Sequence, residues 1–119
     1  VQVSVLDYLM HNPVKGESAE YNDNRISLYV GQNGKCYISG QSLEIGTMQA
    51  HHKKPKFQGG TDEYSNLVYL TEKMHQLIHA TQSETIERIL KANMKTVIDF
   101  KRLNKLRILV GNSEISVNK

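Results

Sequence analysis

The chain has 119 residues, the size of one domain. With 39% hydrophobic and 23% charged residues it falls in the range of globular proteins, which excludes a chain disordered throughout. No apolar run approaches the roughly 20 residues of a membrane-spanning helix, so we expect a cytoplasmic protein with no membrane partner. The single cysteine, Cys36, excludes an internal disulfide and a four-cysteine zinc site. Because the first residue is Val, we expect a piece of a longer protein.

The net charge of +3 is unevenly distributed. Residues 1–50 carry three Lys or Arg against five Asp or Glu, residues 51–90 carry five of each, and residues 91–119 carry seven against two. A basic end favours a polyanionic partner, because neutralising phosphates releases counterions. The same charges are equally typical of a solvated helix face. The residues that could follow a nucleic-acid backbone are Lys101, Arg102, Lys105 and Arg107.

The first part of the chain predicts one helix and two short strands. Residues 1–20 combine a short apolar start with Pro, Gly and polar residues, and we interpret them as a partly extended linker. Asp23 can cap a helix that runs through Val30 and ends at the following Asn-Gly turn. Apolar runs at 36–38 and 48–52 predict two strands.

After a predicted loop at 53–66, the pattern becomes helical. Apolar residues 67–70 lead to Thr71, a natural cap for a helix through Ala80. Two more helices are predicted after it. A capping box of Thr81 with Glu84 begins the first, and Thr96 with Asp99 begins the last, which carries Val97 on its apolar stripe. Gly111 is the predicted end of that last helix. We expect an α+β domain over 21–112, followed by a tail at 113–119.

Four of the five histidines lie between residues 51 and 79. His75 and His79 have i, i+4 spacing, so on a helix both imidazoles leave the same face and can meet one ion. His51 on a neighbouring strand would complete a set of three ligands, which is typical of a catalytic metal site. His52 would then stay free as a base. His11 stands apart, and we interpret it as solvated.

Each of these features also has an ordinary structural interpretation. An i, i+4 histidine pair is more often a surface coincidence than a metal site. Gly59-Gly60 can be only a loop, and Asn66 only a turn residue. Cys36 can be a small core hydrophobe. The hypothesis of a metal site therefore depends on the joint arrangement.

That arrangement resembles a known nuclease motif. The segment HHKKPKFQGGTDEYSNLVYLTEKMHQLIH is similar to the HNH, or ββα-metal, endonuclease motif, with its Pro, Gly-Gly loop, Asn-Leu, strand and histidine-bearing helix in order. The flanking stretches EYNDNRISLYVGQNGKCYISGQSLEIG, LIHATQSETI and LNKLRILVGN resemble the C-terminal HNH domain of group II intron reverse transcriptase/maturase proteins. The resemblance covers about residues 20–112 and implies a ββα-metal core with additional C-terminal helices.

The resemblance assigns roles position by position. It implies that His51, His75 and His79 bind one divalent metal ion and that His52 is the general base. Asn66 would hold the loop and orient His52, whose second nitrogen we expect to meet a backbone carbonyl of that loop. The implied activity is nicking of target DNA by phosphodiester hydrolysis to give a 3′-hydroxyl primer for reverse transcription.

The implied partners are DNA, the intron RNA and the reverse transcriptase domains of the parent protein, in a bacterial, nucleoid-associated setting. Lys53, Lys54 and Lys56 lie in the loop beside the base and are candidates for phosphate contacts, with Arg25 a weaker candidate. Open alternatives are a non-catalytic nucleic-acid-binding module, a purely structural metal module, and a stand-alone HNH toxin or restriction nuclease.

Two departures from the family pattern affect the metals. Where many relatives carry two Cys-x-x-Cys knuckles, this chain has residues 36–39 and then Thr71 and Met74, so three of four sulfur positions are lost and we expect no structural zinc. Apolar packing should replace it, around Cys36, Ile38, Leu70 and Met74. The second departure is His51, where some relatives have Asp. Three nitrogen ligands weaken a preference for Mg²⁺ and suit Mn²⁺, Co²⁺, Ni²⁺ or Zn²⁺, which leaves the ion open.

Overall fold

The computed structural model describes residues 4–116, which form an α+β domain, as the sequence predicts. Within this range the chain forms five α-helices and one two-stranded antiparallel sheet. None of these helices has the length and apolar character needed to cross a membrane. The elements, in chain order, are α1 (Val5–His11), α2 (Ala19–Gly31), β1 (Met48–His52), β2 (Leu67–Thr71), α3 (Glu72–His79), α4 (Ser83–Ala92) and α5 (Phe100–Leu109).

The sheet and α3 form one continuous unit. In the register of β1 and β2, His51 pairs with Val68 and His52 with Leu67. Strand β2 runs directly into α3, whose N-cap is Thr71, as predicted. Residues 67–70 are buried on both faces of β2, whereas in β1 only His51 is buried. Strand β2 is therefore the buried strand of the sheet, and β1 is the more exposed strand that carries His51 and His52.

Helix α3 separates apolar and histidine faces. Its residues Met74, Leu77 and Ile78 are fully buried against β2 and α5, while His75 and His79 lie on the other side. This division follows from the helical period, since positions three and four apart share a face. The core thus fixes the helix rotation that brings the two histidines together.

The linker predicted at 1–20 is wrong for the residues that form α1. That helix begins at an N-cap, Ser4, whose hydroxyl accepts from the Asp7 N–H, and it buries Leu9 against α2. Helix α2 also begins earlier than predicted, because Ser18 rather than Asp23 is its N-cap. A serine hydroxyl is as good a cap as a carboxylate. Val1–Val3 lie outside the described residues.

The strand predicted at 36–38 is a turn. Gly34 and Gly40 flank it with φ of 68° and 70°, which bends the chain back on itself. The Cys36 N–H donates to the Gln41 carbonyl, and the Gly40 N–H donates to the Cys36 carbonyl. Within residues 34–43, strand-like pairing is confined to a single antiparallel bridge between Lys35 and Ser42.

The expected apolar packing at the knuckle positions is confirmed. Cys36, Ile38, Leu70 and Met74 are all buried members of one hydrophobic core. The Cys36 sulfur also accepts hydrogen bonds from the Thr71 backbone N–H at 3.4 Å and the Thr71 hydroxyl at 3.7 Å. The turn at 36–39 is thereby fastened to the junction of β2 and α3.

The last two helices begin later than the sequence predicts. Helix α4 follows Gln82 with no side-chain cap, so the capping box of Thr81 and Glu84 does not form. The N-cap of α5 is Asp99, whose carboxylate accepts from the Arg102 N–H, and not Thr96. Val97 consequently precedes the helix and is 83% exposed instead of buried. Gly111, with φ of 89°, follows the C-cap as the predicted stop.

Candidate functional site

His51, His75 and His79 form a cluster that is close enough to bind a metal ion. Strand β1 supplies the first residue, and one face of α3 supplies the other two. One ligand nitrogen from each residue lies within 4.8 Å of the others. The ring centroids are 5.1 Å apart for His51 and His75, 5.4 Å for His51 and His79, and 4.7 Å for His75 and His79. The predicted set of three is therefore brought together.

The hydrogen bonding of His51 indicates that the cluster lacks a partner. Its side chain is 3% exposed, and its Nε2 is buried with no hydrogen-bond partner among residues 4–116. An unsatisfied buried polar atom costs about 1–3 kcal/mol. A cation bound by the three imidazoles would satisfy this atom, so these residues fit a metal ion.

The protonation of the cluster also suits a metal. Burial, reinforced by the neighbouring histidines, lowers the pKa of His51 to about 3. Burial and His79 lower the pKa of His75 to about 4. The pKa of His79 is lowered by partial burial and by the nearby Arg107. At neutral pH all three imidazoles are therefore uncharged, which metal ligands must be.

His52 does not join the cluster, although it follows His51 directly. Its Nε2 lies 2.8 Å from the Asp62 Oδ1, and its ring is stacked on Tyr21 with centroids 5.7 Å apart. The expectation that a backbone carbonyl holds this nitrogen is therefore wrong, since a carboxylate occupies that place. The ring keeps 20% of its side-chain surface exposed.

One cleft of about 340 Å³ joins the cluster to His52. Its walls come from β1, from α3 and from the start of the following loop. A group bound to the three clustered imidazoles would therefore share this cleft with the His52 imidazole, which is not part of the cluster. The lining residues are Ala50, His51, His52, Pro55, Lys56, His75 and His79.

Asn66 holds the loop at 53–66, as predicted. Its Oδ1 accepts from the Lys54 N–H at 2.9 Å, and its Nδ2 donates to the carbonyls of Lys54 at 3.1 Å and Thr61 at 2.8 Å. Gly60 completes the closure, because a Cβ there would lie 1.8 Å from the Lys54 carbonyl oxygen. The loop backbone is thus fixed at both ends beside the cleft.

The loop lysines differ in their surroundings. Lys53 is half-buried, and Lys54 and Lys56 are exposed. The Lys56 Nζ lies 3.3 Å from both the Asp62 Oδ1 and the Glu17 Oε2, which raises its pKa. Lys54 and Lys56 are therefore accessible from solvent, and Lys56 is already paired with two carboxylates.

Arg25 and Arg107 are not surface cations, contrary to the sequence-based expectation. Arg25 is 7% exposed, and its guanidinium donates to the Tyr69 hydroxyl and to the Asn12 carbonyl. Arg107 is 2% exposed and donates to carbonyls at the end of α3 and beyond it. Both arginines satisfy buried acceptors, so their charge does not mark a phosphate site. The acceptors of Arg107 are the carbonyl oxygens of Leu77, Ile78, Ala80 and Ser113.

The sequence analysis missed Asp62, Ser18 and Tyr21. Asp62 contacts His52 across ten residues, and Ser18 donates to Asp62 across 44 residues. A carboxylate two positions after Gly59-Gly60 was the one local signal, because Ser18 and Tyr21 lie in or directly after the segment interpreted as linker.

Comparison of the chain with protein-family models, with curated proteins and with solved structures gives no match in any of the three.

Proposed function

We propose that this chain is a metal-dependent HNH endonuclease domain in which β1, β2 and α3 form the ββα-metal core. Its substrate would be DNA, nicked by phosphodiester hydrolysis to leave a 3′-hydroxyl. The observation that carries this proposal is the histidine cluster, with the unpartnered His51 Nε2, on the same cleft as His52. Three ligands that leave other positions open, next to a separate base, are typical of a catalytic metal site.

The ligand set favours some ions over others. His51, His75 and His79 offer nitrogen and no carboxylate oxygen. Imidazole suits Zn²⁺, Mn²⁺, Co²⁺ and Ni²⁺ better than Mg²⁺, which prefers oxygen ligands. When bound, such an ion would supply Lewis-acid stabilisation of the charge that develops on the phosphate and on the leaving 3′ oxygen.

His52 would act as the general base. With its Nε2 directed at the Asp62 carboxylate, its Nδ1 makes no hydrogen bond to residues 4–116 and can accept a proton from water. The water oxygen then forms a bond to phosphorus as the bond from phosphorus to the 3′ oxygen breaks. That oxygen takes a proton from solvent, which yields 3′-hydroxyl and 5′-phosphate ends.

Phosphate contacts would come from the loop that Asn66 holds. Lys56 lines the cleft, and Lys53 and Lys54 follow His52 directly in the chain. Among the described residues, no helix stands apart from the core as a base-reading helix would. These lysine contacts would therefore position DNA without specifying its sequence. Binding should then fall steeply with salt.

The role in the cell follows from the resemblance and is part of the same proposal. The domain would belong to a group II intron-encoded protein, with the intron RNA and reverse transcriptase domains as partners. A nick ending in a 3′-hydroxyl would serve there as the primer for reverse transcription.

The decisive experiment is plasmid nicking by the purified chain with Mg²⁺, Mn²⁺, Zn²⁺, Co²⁺ or Ni²⁺, beside His52→Ala and His11→Ala. His11 is exposed and belongs neither to the histidine cluster nor to the cleft lining, so it is the matched control. We expect nicking by the wild type and by His11→Ala that EDTA abolishes, and none by His52→Ala. DNA polymerase should extend the nicks.

Other outcomes would replace the proposal. Nicking by His52→Ala at the wild-type rate would remove the base assignment. A wild type that binds DNA and metal but never cuts would be a non-catalytic module. Metal binding with neither DNA binding nor cleavage would indicate a structural metal module.

A further inference from the structure

Asp62 accepts hydrogen bonds from three separate parts of the chain. Its Oδ2 accepts from the Ser18 hydroxyl at 2.6 Å, and its Oδ1 lies 2.8 Å from the His52 Nε2 and 3.3 Å from the Lys56 Nζ. Its backbone carbonyl accepts from the Asn24 side chain at 2.7 Å. Only 10% of the Asp62 side chain is exposed. The carboxylate is therefore held in one position.

This carboxylate decides which nitrogen of His52 carries a proton. Hydrogen bonds from Ser18 and His52 hold the pKa of Asp62 down to about 2, so the group is ionised at neutral pH. An ionised carboxylate only accepts hydrogen bonds, and the Nε2 that faces it must therefore be a donor. The lone pair then remains on Nδ1, the nitrogen that a base needs free.

The start of α2 holds both the carboxylate and the ring. The Ser18 hydroxyl accepts from the Tyr21 N–H at 3.0 Å, as a helix N-cap does, while it donates to Asp62. The Tyr21 ring lies nearly parallel to that of His52, with an angle of 11° between their planes, and limits the rotation of the imidazole. The first turn of α2 thus holds both groups that contact His52, the Asp62 carboxylate through Ser18 and the aromatic ring through Tyr21.

On the basis of the proposed function, we infer that Asp62 is the positioning residue of the base. Anchored by Ser18, it fixes the Nε2–H tautomer and the orientation of His52, which leaves Nδ1 to take the proton of the attacking water. Helix α2 lies before the histidine-rich segment, yet it belongs to the same machinery.

The test is nuclear magnetic resonance of the whole chain with ¹⁵N-labelled histidine and bound Zn²⁺. The wild type should show a His52 Nε2–H resonance protected from exchange, assigned by its absence in His52→Ala. Asp62→Ala should lose this resonance. Asp62→Asn, which keeps one acceptor oxygen, should retain part of it. The matched control is Glu63→Ala, which removes an exposed neighbouring carboxylate and should leave the resonance unchanged.

Cleavage and metal binding give a second set of results. A general base contributes about 10²- to 10⁴-fold, so loss of its positioning in Asp62→Ala should lower kcat at least about tenfold. Zn²⁺ affinity should stay within a few-fold of wild type, because Asp62 makes no hydrogen bond to a residue of the histidine cluster. Asp62→Asn should recover part of kcat, which a general loss of folding would not allow.

Ser18→Gly tests the anchor separately from the helix cap, since Gly costs only a few tenths of a kcal/mol at an N-cap. It should weaken the protected resonance while circular dichroism stays at the wild-type level. An Asp62→Ala protein with the wild-type resonance or the wild-type kcat would overturn the inference. If no cation supports nicking by the wild type, the proposed function fails, while the resonance still decides whether Asp62 holds the ring.

Discussion

The Nε2 atoms of His51 and His52, adjacent residues of β1, have opposite surroundings. The His52 Nε2 lies 2.8 Å from the Asp62 carboxylate, whereas the buried His51 Nε2 has no hydrogen-bond partner among residues 4–116. The protein thus supplies a hydrogen-bond partner to the His52 Nε2 but none, among the described residues, to the His51 Nε2. The two roles should therefore be separable by mutation.

Loss of one clustered histidine should abolish metal binding. We expect His75→Ala to weaken binding of Zn²⁺ or Mn²⁺ by more than about 100-fold, since even the outer partners of metal ligands are worth about 10- to 100-fold. His52→Ala should bind within a few-fold of wild type, and His11→Ala should bind like wild type. Titration calorimetry at pH 7 measures all three. An unchanged affinity in His75→Ala would refute the ligand set.

Acid should destabilise the metal-free protein. The folded pKa values of about 3 for His51 and about 4 for His75 lie below the unfolded value of 6.5. The unfolded chain therefore binds more protons in this window, and stability present above pH 6.5 is lost as the pH falls towards 4. At about 1.4 kcal/mol per pKa unit, the two histidines together give an expected loss of roughly 4 kcal/mol between pH 6.5 and 4.5. Urea unfolding with EDTA present measures it.

Replacing His51 by Leu should remove part of that acid sensitivity. An apolar side chain of similar size eliminates the buried unpaired nitrogen, and such a replacement can be neutral or stabilising. We expect His51→Leu without metal to be at least as stable as wild type and to lose less stability between pH 6.5 and 4.5. The exposed His11→Leu should keep the wild-type slope. A steeper slope in His51→Leu would contradict the cause assigned to the pKa shift.

Asn66→Ala should open the loop at 53–66. The substitution removes three hydrogen bonds to Lys54 and Thr61, each worth about 1 kcal/mol, so we expect a loss of roughly 2–3 kcal/mol in the free energy of unfolding. Ser65→Ala, at an exposed neighbouring position, should change it by less than about 0.5 kcal/mol. Equal midpoints in chemical denaturation for the two variants would show that the loop is not held by Asn66.

Arg107→Met should destabilise the end of α3. It leaves the buried carbonyls of Leu77 and Ala80 without their donor, a loss of roughly 3 kcal/mol. Because His79 lies between them, metal affinity should fall as well. Lys105→Met, on the exposed side of α5, should change neither quantity. Calorimetry that finds wild-type affinity in Arg107→Met would separate the helix end from the metal site.

The fold should survive chelation. Buried Cys36, Ile38 and Met74 are members of one hydrophobic core, so we expect the core not to require a metal. With EDTA we expect a cooperative thermal transition at a lower Tm, shifted only by the amount that ligand binding adds through mass action. Cooperative unfolding by EDTA at room temperature would contradict this expectation.

The sequence predicted those parts of the site that depend on local geometry. The i, i+4 spacing brought His75 and His79 together, and the edge position of β1 brought His51 to them. Helix starts were less accurate, because serine, threonine and aspartate compete closely as caps. Ser18 and Asp99 prevailed over Asp23 and Thr96.

What the sequence could not predict depends on contacts between distant residues. The support of His52 by Asp62 and Ser18 joins three separate segments, and no spacing rule connects them. Burial of Arg25 and Arg107 also escaped prediction, because charge alone does not show which arginines satisfy carbonyls inside the fold. An overall excess of positive charge therefore overstated the number of available phosphate contacts.

The position of Arg107 limits how small a transplantable version of this site can be. A fragment of 48–79 would carry every histidine of the cluster, yet it would leave behind the guanidinium that α5 donates to the end of α3. Grafted into another protein, the segment would need a substitute donor at that place. Residues 48–79 alone are therefore not expected to form the site, which requires either α5 or another donor in the place of Arg107.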